Sequence, residues 1–385
     1  MRRVLVLNGP NLELLGTRRP EIYGSTTLSE LEARVRGWAA ALGMEAATFQ
    51  SSDEGALVER IHQARGDADG IVFNPGAFTH TSRALADAVE AVEIPTVEVH
   101  LSNIAAREPW RRHSVISPVA LATIFGRGVD GYRWALRRLA AEGVVPSRRV
   151  RYGPRPEHEA DLREGPEGRP VALFVPGGFW RLHWDRDTID RIAADLARRG
   201  FTTLTISYRR CGSGGEWPGA LHDVAYALDW ARVRLAPGRP VVVVGHSAGA
   251  HLALVAARRS GRAGRPPDLV VSLAGVTDLV SAVAEELGDG AVGEFLGGAD
   301  PASASPLHLL PVGSPLLVAW SRGDGSVPPE TSRRFAARAA EAGDSVETVE
   351  VDGDHFCFLD PEDDVWSTVA RIIEARFDDP SSSNS

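Results

Sequence analysis

Two separate sets of residues in this sequence have the types and spacing that catalysis requires. In the first set, Arg18 and Tyr23 lie in one loop. A free tyrosine titrates near pH 10 and is a poor base at neutral pH. A guanidinium about 4 Å away, at an effective dielectric constant of about 20, favours the phenolate by roughly 4 kcal/mol before desolvation is subtracted. The pair predicts a tyrosine that removes a proton, and a solvated arginine beside a packed tyrosine is an equal alternative.

Three further polar residues, Asn8, Asn74 and His100, each fall at the carboxyl end of a predicted β-strand. Ligands of an open parallel sheet bind beyond the carboxyl ends of its strands, so these side chains are expected to meet in one crevice. The segment 9–24 is about as long as structureless loops become in compact domains, which suggests a functional lid. Neither His80 nor His100 has further ligands at metal-binding spacing, so no metal is predicted.

The second set is a nucleophilic serine with two partners. Ser247 lies in a Gly-His-Ser-Ala-Gly sequence between four valines and a helical pattern, and a strand–turn–helix context of this kind exposes a serine hydroxyl. Asp324 and His355 follow, each after a predicted strand. His355 would take the serine proton, and Asp324 would orient the imidazole and stabilise its cation. Asp352 and Asp354 are competing carboxylates, with weaker support because they merely adjoin the histidine in a turn.

Backbone donors for an oxyanion are expected at two places. One is the N–H of Ala248, directly after the serine, and the other is the turn that contains Gly178 and Phe179. Trp180 and Trp184 follow this turn. They would either line an acyl or aryl pocket or simply pack a lid, and the sequence favours neither interpretation.

Alternating strand and helix patterns must position these residues. In the first part of the chain, strands are predicted near 3–8, 46–50, 70–74, 96–100 and 121–124, with helices near 27–42, 54–65, 81–92 and 131–142. A hairpin of 149–152 with 158–163 follows a short connector. Strands are then predicted near 171–175, 202–207, 240–244, 269–273, 316–320 and 346–351, with helices near 187–199, 219–235, 248–259, 329–342 and 363–377. The alternation predicts the α/β class, with a flavodoxin-like parallel sheet in the first part.

The length, net charge and composition of the chain exclude several classes of partner and reaction. A length of 385 residues fits two domains, and a net charge of -9 argues against a nucleic-acid partner. Two cysteines suit a reducing cytosol, and the N-terminal apolar run is too short for a signal peptide. The absence of lysine argues against Schiff-base chemistry, bound pyridoxal phosphate and a P-loop. We therefore expect a cytoplasmic protein with small-molecule substrates, no membrane or nucleic-acid partner and no cofactor.

The first set of residues closely resembles type II 3-dehydroquinate dehydratase over about residues 1–143. The matching positions are 8–12, Arg18, Tyr23, Gly24, 73–82, 98–103, Arg107, Glu108 and 111–114. The resemblance implies an anti elimination of water from 3-dehydroquinate, through an enolate, to 3-dehydroshikimate, in the shikimate pathway or in quinate breakdown. The type II enzyme works without an imine, which agrees with a chain that has no lysine.

The resemblance also implies roles for individual residues. Tyr23 would take the proton from C2 beside Arg18, Asn11 would position a water on the enolate oxygen, and His100 would protonate the leaving hydroxyl, oriented by Glu98. The substrate would be bound by Asn74, His80, Leu101, Ser102 and Arg111. Asp87 corresponds to a family residue that reaches into a neighbouring subunit, so trimers that assemble into dodecamers are implied.

The second set resembles the α/β-hydrolase family of carboxylesterases and kynurenine formamidases over about residues 149–377. That family usually reads His-Gly-Gly-x-Trp at the oxyanion turn, whereas this chain has Pro176 in place of the histidine. Proline lacks only its own N–H, so the N–H groups of Gly178 and Phe179 remain. The resemblance implies a serine hydrolase of a short ester or an arylformamide.

The combined prediction is a bifunctional enzyme, with a type II dehydroquinate dehydratase domain in residues 1–144 and an α/β-hydrolase domain in residues 149–378. An alternative makes the second domain a non-catalytic module for binding or assembly. A further hypothesis, motivated only by the covalent fusion, is that the hydrolase releases quinate-type acids from their esters.

Overall fold

The structure is a computed structural model that describes residues 2–18, 24–104, 108–111 and 113–378. It divides into two compact units, Met1–Gly143 and Val144–Ser385. Each unit has its own β-sheet and its own clusters of buried apolar side chains.

The described part of the first unit is built on one parallel sheet. Its strands are β1 (Arg2–Asn8), β2 (Met44–Gln50), β3 (Gly70–Asn74), β4 (Thr96–His100) and β5 (Ala122–Phe125). They are arranged in the order β2-β1-β3-β4-β5. Its helices are α1 (Leu28–Ala41), α2 (Glu54–Gln63), α3 (Arg83–Val92) and α4 (Asp130–Glu142). The strand order is that of flavodoxin, so the predicted sheet is confirmed.

Helices cover both faces of this sheet. Helices α1 and α4 contribute to one apolar cluster and α2 and α3 to another. Every residue of β3 and β4 is buried, as expected for parallel strands that are covered on both sides. Helix α1 begins at the predicted capping box, in which Thr27 and Glu30 each bind the other's backbone N–H.

The second unit contains a larger, mainly parallel sheet. Its strands are β6 (Arg148–Arg151), β7 (Glu159–Arg163), β8 (Val171–Val175), β9 (Thr202–Ile206), β10 (Val241–His246), β11 (Leu269–Leu273), β12 (Leu316–Ser321) and β13 (Val346–Val351). Their order is β13-β12-β11-β10-β8-β9-β7-β6. The predicted hairpin of β6 with β7 is confirmed, and β7 also pairs antiparallel with β9. Strand β10, which precedes the serine, lies in the interior of the sheet between β8 and β11.

The long helices of this unit match the predicted pattern. They are α5 (Asp190–Arg198), α6 (Gly219–Arg234), α7 (Ala248–Arg262), α11 (Pro329–Glu341) and α12 (Asp364–Asp378). Three short helices, α8 (Leu279–Ala284), α9 (Ala291–Leu296) and α10 (Pro301–Ala304), were not predicted. Helices of four to six residues are too short to produce a hydrophobic period, which explains why the pattern did not reveal them.

Within the described ranges, no helix is both long and apolar enough to cross a membrane.

Candidate active sites

In the first unit, a cleft of about 720 Å³ lies beyond the carboxyl ends of β3 and β4. It collects eight of the residues that the sequence analysis selected, from four separate segments of the chain. These residues are Asn11, Arg18, Asn74, His80, His100, Leu101, Ser102 and Arg111. We refer to this cavity as the first cleft. It has the position that ligands occupy in open parallel sheets.

Two loops meet closely at the edge of the first cleft. A Cβ added to Gly9 would lie 2.5 Å from the backbone oxygen of Pro75. Gly76 has a φ of +58°, and its added Cβ would lie 2.9 Å from the backbone oxygen of Pro10. Because glycine has no Cβ, the two glycines allow the loop that contains Asn11 to approach the loop that follows β3 this closely.

His100 and Glu98 form a buried dyad at the end of β4. The Nε2 atom of His100 donates to Oε1 of Glu98 at 2.9 Å, since a carboxylate only accepts. The side chains are 6% and 0% exposed, respectively. The bond assigns the proton to Nε2 and leaves Nδ1 of the histidine for a substrate. The arrangement suits an imidazole that gains and loses a proton, because the carboxylate stabilises the cation.

Three hydroxyl groups surround the Glu98 carboxylate. Thr79 and Ser114 donate to Oε1, Ser114 also lies 3.0 Å from Oε2, and Thr123 donates to Oε2 at 3.1 Å. Burial by itself raises the pKa of Glu98, but the hydrogen bonds from His100, Thr79 and Ser114 outweigh burial and lower the pKa below its usual value. Glu98 is therefore ionised at neutral pH despite complete burial.

Tyr132 links two asparagines beneath the first cleft and was not selected from the sequence. The Nδ2 atom of Asn74 donates to the Tyr132 hydroxyl at 3.0 Å, and that hydroxyl donates to Oδ1 of Asn8 at 2.6 Å. Tyr132 is completely buried on α4, and burial raises the pKa of its phenol. The neutral hydroxyl therefore orients the amide of Asn74, which lines the cleft.

We expect Tyr132→Phe to impair substrate binding more than turnover. The change removes only the hydroxyl and leaves two buried amide groups without that partner, at a cost of about 1–3 kcal/mol. Loss of about 1.4 kcal/mol of ground-state binding would raise KM about tenfold, with kcat changed much less. Steady-state kinetics of dehydration would measure this. Tyr152→Phe, which removes a buried hydroxyl that donates to Ser207 in the second unit, should leave the same constants unchanged.

His80 and Arg111 are fixed at another side of the first cleft. The backbone oxygen of His113 accepts a hydrogen bond of 2.7 Å from Nδ1 of His80. The guanidinium carbon of Arg111 lies 3.9 Å from the ring centroid of Trp110, and Nη1 of Arg111 donates to Glu108 at 2.7 Å. The two side chains offer an imidazole nitrogen and a cation to a polar, acidic ligand.

Asp87 is exposed on α3 and does not line the first cleft. Tyr23 lies outside the described residues. The hydroxyls of Thr79 and Ser114 were missed as functional groups although both lie inside the sequence motifs, because their contact with Glu98 depends on how distant segments fold together.

In the second unit, Ser247 lies in a strained turn between β10 and α7. Its φ of 54° and ψ of -122° are outside the regions that L-residues normally adopt. Strain of this kind clusters at active sites, and it matches the sharp turn that the Gly-His-Ser-Ala-Gly sequence predicts. Ser247 is 2% exposed and lines a cleft, so the hydroxyl that the sequence predicts to be exposed is largely covered.

The glycines around Ser247 are sterically required. A Cβ on Gly249 would lie 2.1 Å from the backbone oxygen of Val175, and one on Gly245 would lie 2.5 Å from the Cα of Ala250. A Cβ on Gly177 would lie 3.0 Å from Cβ of the serine. These contacts involve backbone atoms or the serine itself, so no change of a flexible side chain would relieve them.

We expect Gly249→Ala to disrupt the serine turn. The overlap with the Val175 oxygen forces a backbone shift, which costs about 1–3 kcal/mol or more. The second unit should therefore melt at a lower temperature and react poorly with a fluorophosphonate, while dehydration by the first unit persists. Gly293→Ala is the matched control, because its added Cβ meets nothing within 4 Å. Equal labelling of both variants would contradict the expectation.

His355 is held by Asp324 and not by the competing carboxylates. The Nδ1 atom of His355 donates to Oδ2 of Asp324 at 2.7 Å. Asp352 pairs with Arg322, and Asp354 accepts from the backbone of Phe356. Asp324 also accepts two backbone N–H groups at 2.8 Å. Burial raises the pKa of Asp324, and the hydrogen bond and charge of His355 more than compensate, so the pKa is lowered.

Ser247 and His355 line one cleft of about 410 Å³, which we call the second cleft. Among the described residues, the Ser247 hydroxyl makes no hydrogen bond with the imidazole, and such bonds often form fully only when substrate is bound. The backbone oxygen of His355 accepts from Nε2 of His246 at 2.9 Å. Burial and the neighbouring His355 lower the pKa of His246 to about 3. His246 is therefore uncharged, and its hydrogen bond stabilises the turn that carries His355.

The predicted oxyanion turn lies beside Ser247. Gly178 and Phe179 line the second cleft and have φ values of 105° and 49°. Trp184 lines the same cleft, with its ring 6.2 Å from that of Phe356. Trp180 is completely buried and stacks on Phe295, so it belongs to the core. The aromatic wall of the cleft is therefore formed by Trp184, Phe179 and Phe356.

In the described ranges, no group of three or more His, Cys, Asp or Glu residues could hold a metal ion.

Comparison with known proteins separates the two units. The family model for class II dehydroquinase matches residues 2–140, and a second family model, BD-FAE, matches residues 162–338. The chain is 56% identical over 139 residues to the catabolic 3-dehydroquinase 1 of Neosartorya fischeri, and the aligned region covers 36% of this chain and 93% of that protein. It is 58% identical over 134 residues to the 3-dehydroquinate dehydratase of Sodalis glossinidius, which covers 35% of this chain and 89% of that protein.

A solved esterase/lipase from an uncultured bacterium matches the second unit in fold. It is 19% identical, covers 64% of this chain and 92% of its own, and aligns with a TM-score of 0.52. Together with the strand order and the serine turn, this confirms the α/β-hydrolase fold that the sequence predicted. Through residues 2–140 the chain belongs to the class II dehydroquinase family, and it continues into a second unit with the α/β-hydrolase fold.

Proposed function

We propose that the first unit dehydrates 3-dehydroquinate to 3-dehydroshikimate by an anti elimination through an enolate. The main support is the convergence of Asn11, Arg18, Asn74, His80 and His100 on one cleft. The names of the relatives that are 56% and 58% identical agree with this reaction.

The first step is removal of a proton from carbon. Tyr23, as the phenolate, takes the proton from C2, and the electrons of the broken C–H bond form the C2–C3 double bond of an enolate whose charge rests on the C3 oxygen. Arg18 stabilises the phenolate before this step, since a nearby guanidinium lowers the pKa of a phenol. Asn11 positions a water that donates to the enolate oxygen.

The second step expels water. The enolate electrons form the C1–C2 double bond while the C3 carbonyl is restored, and the C1–O bond breaks. His100 supplies a proton to the departing hydroxyl, which leaves as water. Glu98 supports this role because its carboxylate accepts from Nε2 of His100 and stabilises the imidazolium before transfer.

The remaining residues of the first cleft bind the substrate. Ser102 and the backbone N–H of Leu101 are assigned to the substrate carboxylate. Asn74, His80 and Arg111 are assigned to the ring hydroxyls and the carboxylate. The burial of Asn74 and its bond to Tyr132 favour a fixed orientation, which lowers the entropy lost on binding.

Product analysis tests this function. NMR of 3-dehydroquinate stereospecifically deuterated at C2 should reveal anti elimination, and borohydride should not inactivate the enzyme, because no imine forms. Syn elimination or inactivation by borohydride in the presence of substrate would overturn the proposed chemistry.

We further propose that the first unit functions in a trimer-based homo-oligomer in which Asp87 reaches a neighbouring cleft. Asp87 is exposed on α3 and does not line the first cleft of its own chain, which is compatible with a role across an interface. Mixing inactive Asp87→Ala and His100→Ala subunits after unfolding and refolding should restore part of the activity, because some sites would then hold both residues. No recovery in mixed oligomers would contradict shared sites.

For the second unit we propose a serine hydrolase that acts on an ester or an arylformamide. Its main support is the strained Ser247 beside a His355 that Asp324 orients. The second cleft has aromatic walls, and the described residues that line it include no arginine or carboxylate side chain. Such a cleft favours a neutral, aromatic or otherwise apolar acyl or leaving group.

The alternative is a non-catalytic binding or assembly module. Reaction with a fluorophosphonate distinguishes the two, since only an activated serine attacks phosphorus. Labelling at Ser247 in folded protein would support the hydrolase, and absence of labelling would favour the module. Release of a quinate-type acid from esters is a narrower possibility, and failure to cleave any quinate or shikimate ester would exclude it.

A further inference from the structure

The oxyanion turn of the second unit is held from behind by two buried side chains. Nη1 of Arg210 donates to the backbone oxygen of Gly177 at 2.9 Å, and the Tyr208 hydroxyl donates to the backbone oxygen of Pro176 at 2.8 Å. Arg210 is 3% exposed and Tyr208 is 2% exposed. Two consecutive carbonyl groups of the turn therefore have side-chain donors in place of water.

A held carbonyl also fixes the N–H of its peptide. The peptide unit is planar and trans, so its C=O and N–H point in opposite directions. The oxygen of Gly177 and the N–H of Gly178 belong to the same peptide. Binding of that oxygen by Arg210 therefore sets the direction of the Gly178 N–H, which is one of the predicted oxyanion donors.

The same contact makes the N–H a stronger donor. A guanidinium that binds the carbonyl oxygen draws electron density through the peptide, and hydrogen bonds that polarise one another in a buried setting are strengthened. The peptide is adjacent to the nucleophile, since a Cβ on Gly177 would lie 3.0 Å from Cβ of Ser247. Both Gly177 and Gly178 line the second cleft with the serine.

The guanidinium of Arg210 packs against an aromatic ring and lies near a carboxylate. Its guanidinium carbon lies 3.7 Å from the ring centroid of Tyr208, and its Nη2 lies 3.8 Å from Oδ1 of Asp185. The backbone N–H of Arg210 donates to Ser213 at 3.0 Å. Ser207, in turn, donates to the other oxygen of Asp185 at 2.8 Å. A preorganised donor of this kind requires little rearrangement when charge develops on the substrate.

We propose that Arg210 is a positioning residue for the oxyanion hole, which orients and polarises the Gly177–Gly178 peptide. This role matters here because Pro176, at the start of the turn, brings no side-chain donor and no N–H. The proposal rests on the proposed hydrolase activity of the second unit.

The test compares Arg210→Met with Arg210→Lys in the full chain, using p-nitrophenyl acetate and a fluorophosphonate. Arg210→Met should lower kcat and the acylation rate by about tenfold to a hundredfold, below the full effect of removing an oxyanion donor, with KM little changed. Affinity for an arylboronic acid, which forms a tetrahedral adduct with the serine, should fall by the same factor, while affinity for the product acid stays constant. Arg210→Lys should recover part of each loss and is informative if the methionine variant unfolds.

The matched control is Arg209→Met. Arg209 is the adjacent arginine and is partly buried, but it binds Asp223 and the backbone of Gly219 rather than the oxyanion turn, so kcat should remain near that of the wild type. Folding is verified by the melting curve and by unchanged dehydration in the first unit. Wild-type acylation and boronate affinity in folded Arg210→Met would overturn the role of Arg210. Absence of labelling in the wild type would overturn the hydrolase itself, and this role with it.

Discussion

His100→Ala and Tyr23→Phe should each abolish measurable dehydration, with kcat reduced on the order of 10³-fold or more. Proton transfer by a positioned side chain contributes typically about 10²–10⁴-fold, and here one residue is proposed to remove a proton and the other to supply one. Both losses should affect kcat, since neither group is assigned to ground-state binding. Conversion of 3-dehydroquinate, followed by the ultraviolet absorbance of the enone product, measures the effect.

An exposed histidine and Ser247 of the second unit provide controls for this result. His62→Ala replaces an exposed histidine on α2 that does not line the first cleft, and it should retain wild-type turnover. The reaction of Ser247 with a fluorophosphonate should be unchanged in all three variants. Near-normal dehydration by folded His100→Ala or Tyr23→Phe would refute the assigned roles.

Ser247→Ala should eliminate both fluorophosphonate labelling and ester hydrolysis, a loss on the order of 10⁴-fold to 10⁶-fold in kcat. The alanine variant has no nucleophile, and the residual rate would come from the oxyanion donors and from substrate binding alone. Asp324→Asn should lower kcat by about 10⁴-fold while leaving the fold intact, because the amide would favour the wrong imidazole tautomer. Hydrolysis of p-nitrophenyl acetate measures both variants.

Ser326→Ala is the matched control for this experiment. Ser326 lines the second cleft, but its contribution to the site is a backbone N–H that donates to Asp324, and alanine preserves that group. Hydrolysis should therefore remain within a few-fold of the wild type. Hydrolysis that persists in Ser247→Ala would mean that another group attacks the ester.

Most of both folds follows from local patterns. Strands that are buried on both faces of a parallel sheet are mostly apolar, so the core of β3 and the valines of β10 are visible as short apolar runs. Strand β4 is equally buried but carries Thr96, Glu98 and His100 between its two valines. The strand-end rule then places Asn74 and His100 at one edge without further information. The short helices α8 to α10 were missed because they are too brief to impose a period.

The partners of the site residues were harder to infer. Tyr132 is 58 residues from Asn74 and 124 residues from Asn8, and nothing in its local sequence marks it as part of a site. Asp324 is an exception, because its position after a predicted strand favours it over Asp352, and in the structure it is Asp324 that accepts from His355. Arg210 is buried against the oxyanion turn, and its contact with Gly177 joins segments 33 residues apart that no local pattern connects.

The amino-acid order alone determined which elements form and which residues are chemically able to act, because hydrophobic period, turn residues and reactive side chains are local properties. Tertiary packing decided the hydrogen-bond partners of those residues. These partners are the hydroxyls around Glu98, the phenol between two asparagines and the guanidinium behind the oxyanion turn. Hydrogen bonds and charges act over a few ångströms in space, whatever the separation along the chain, and only the folded structure brings these partners within that range.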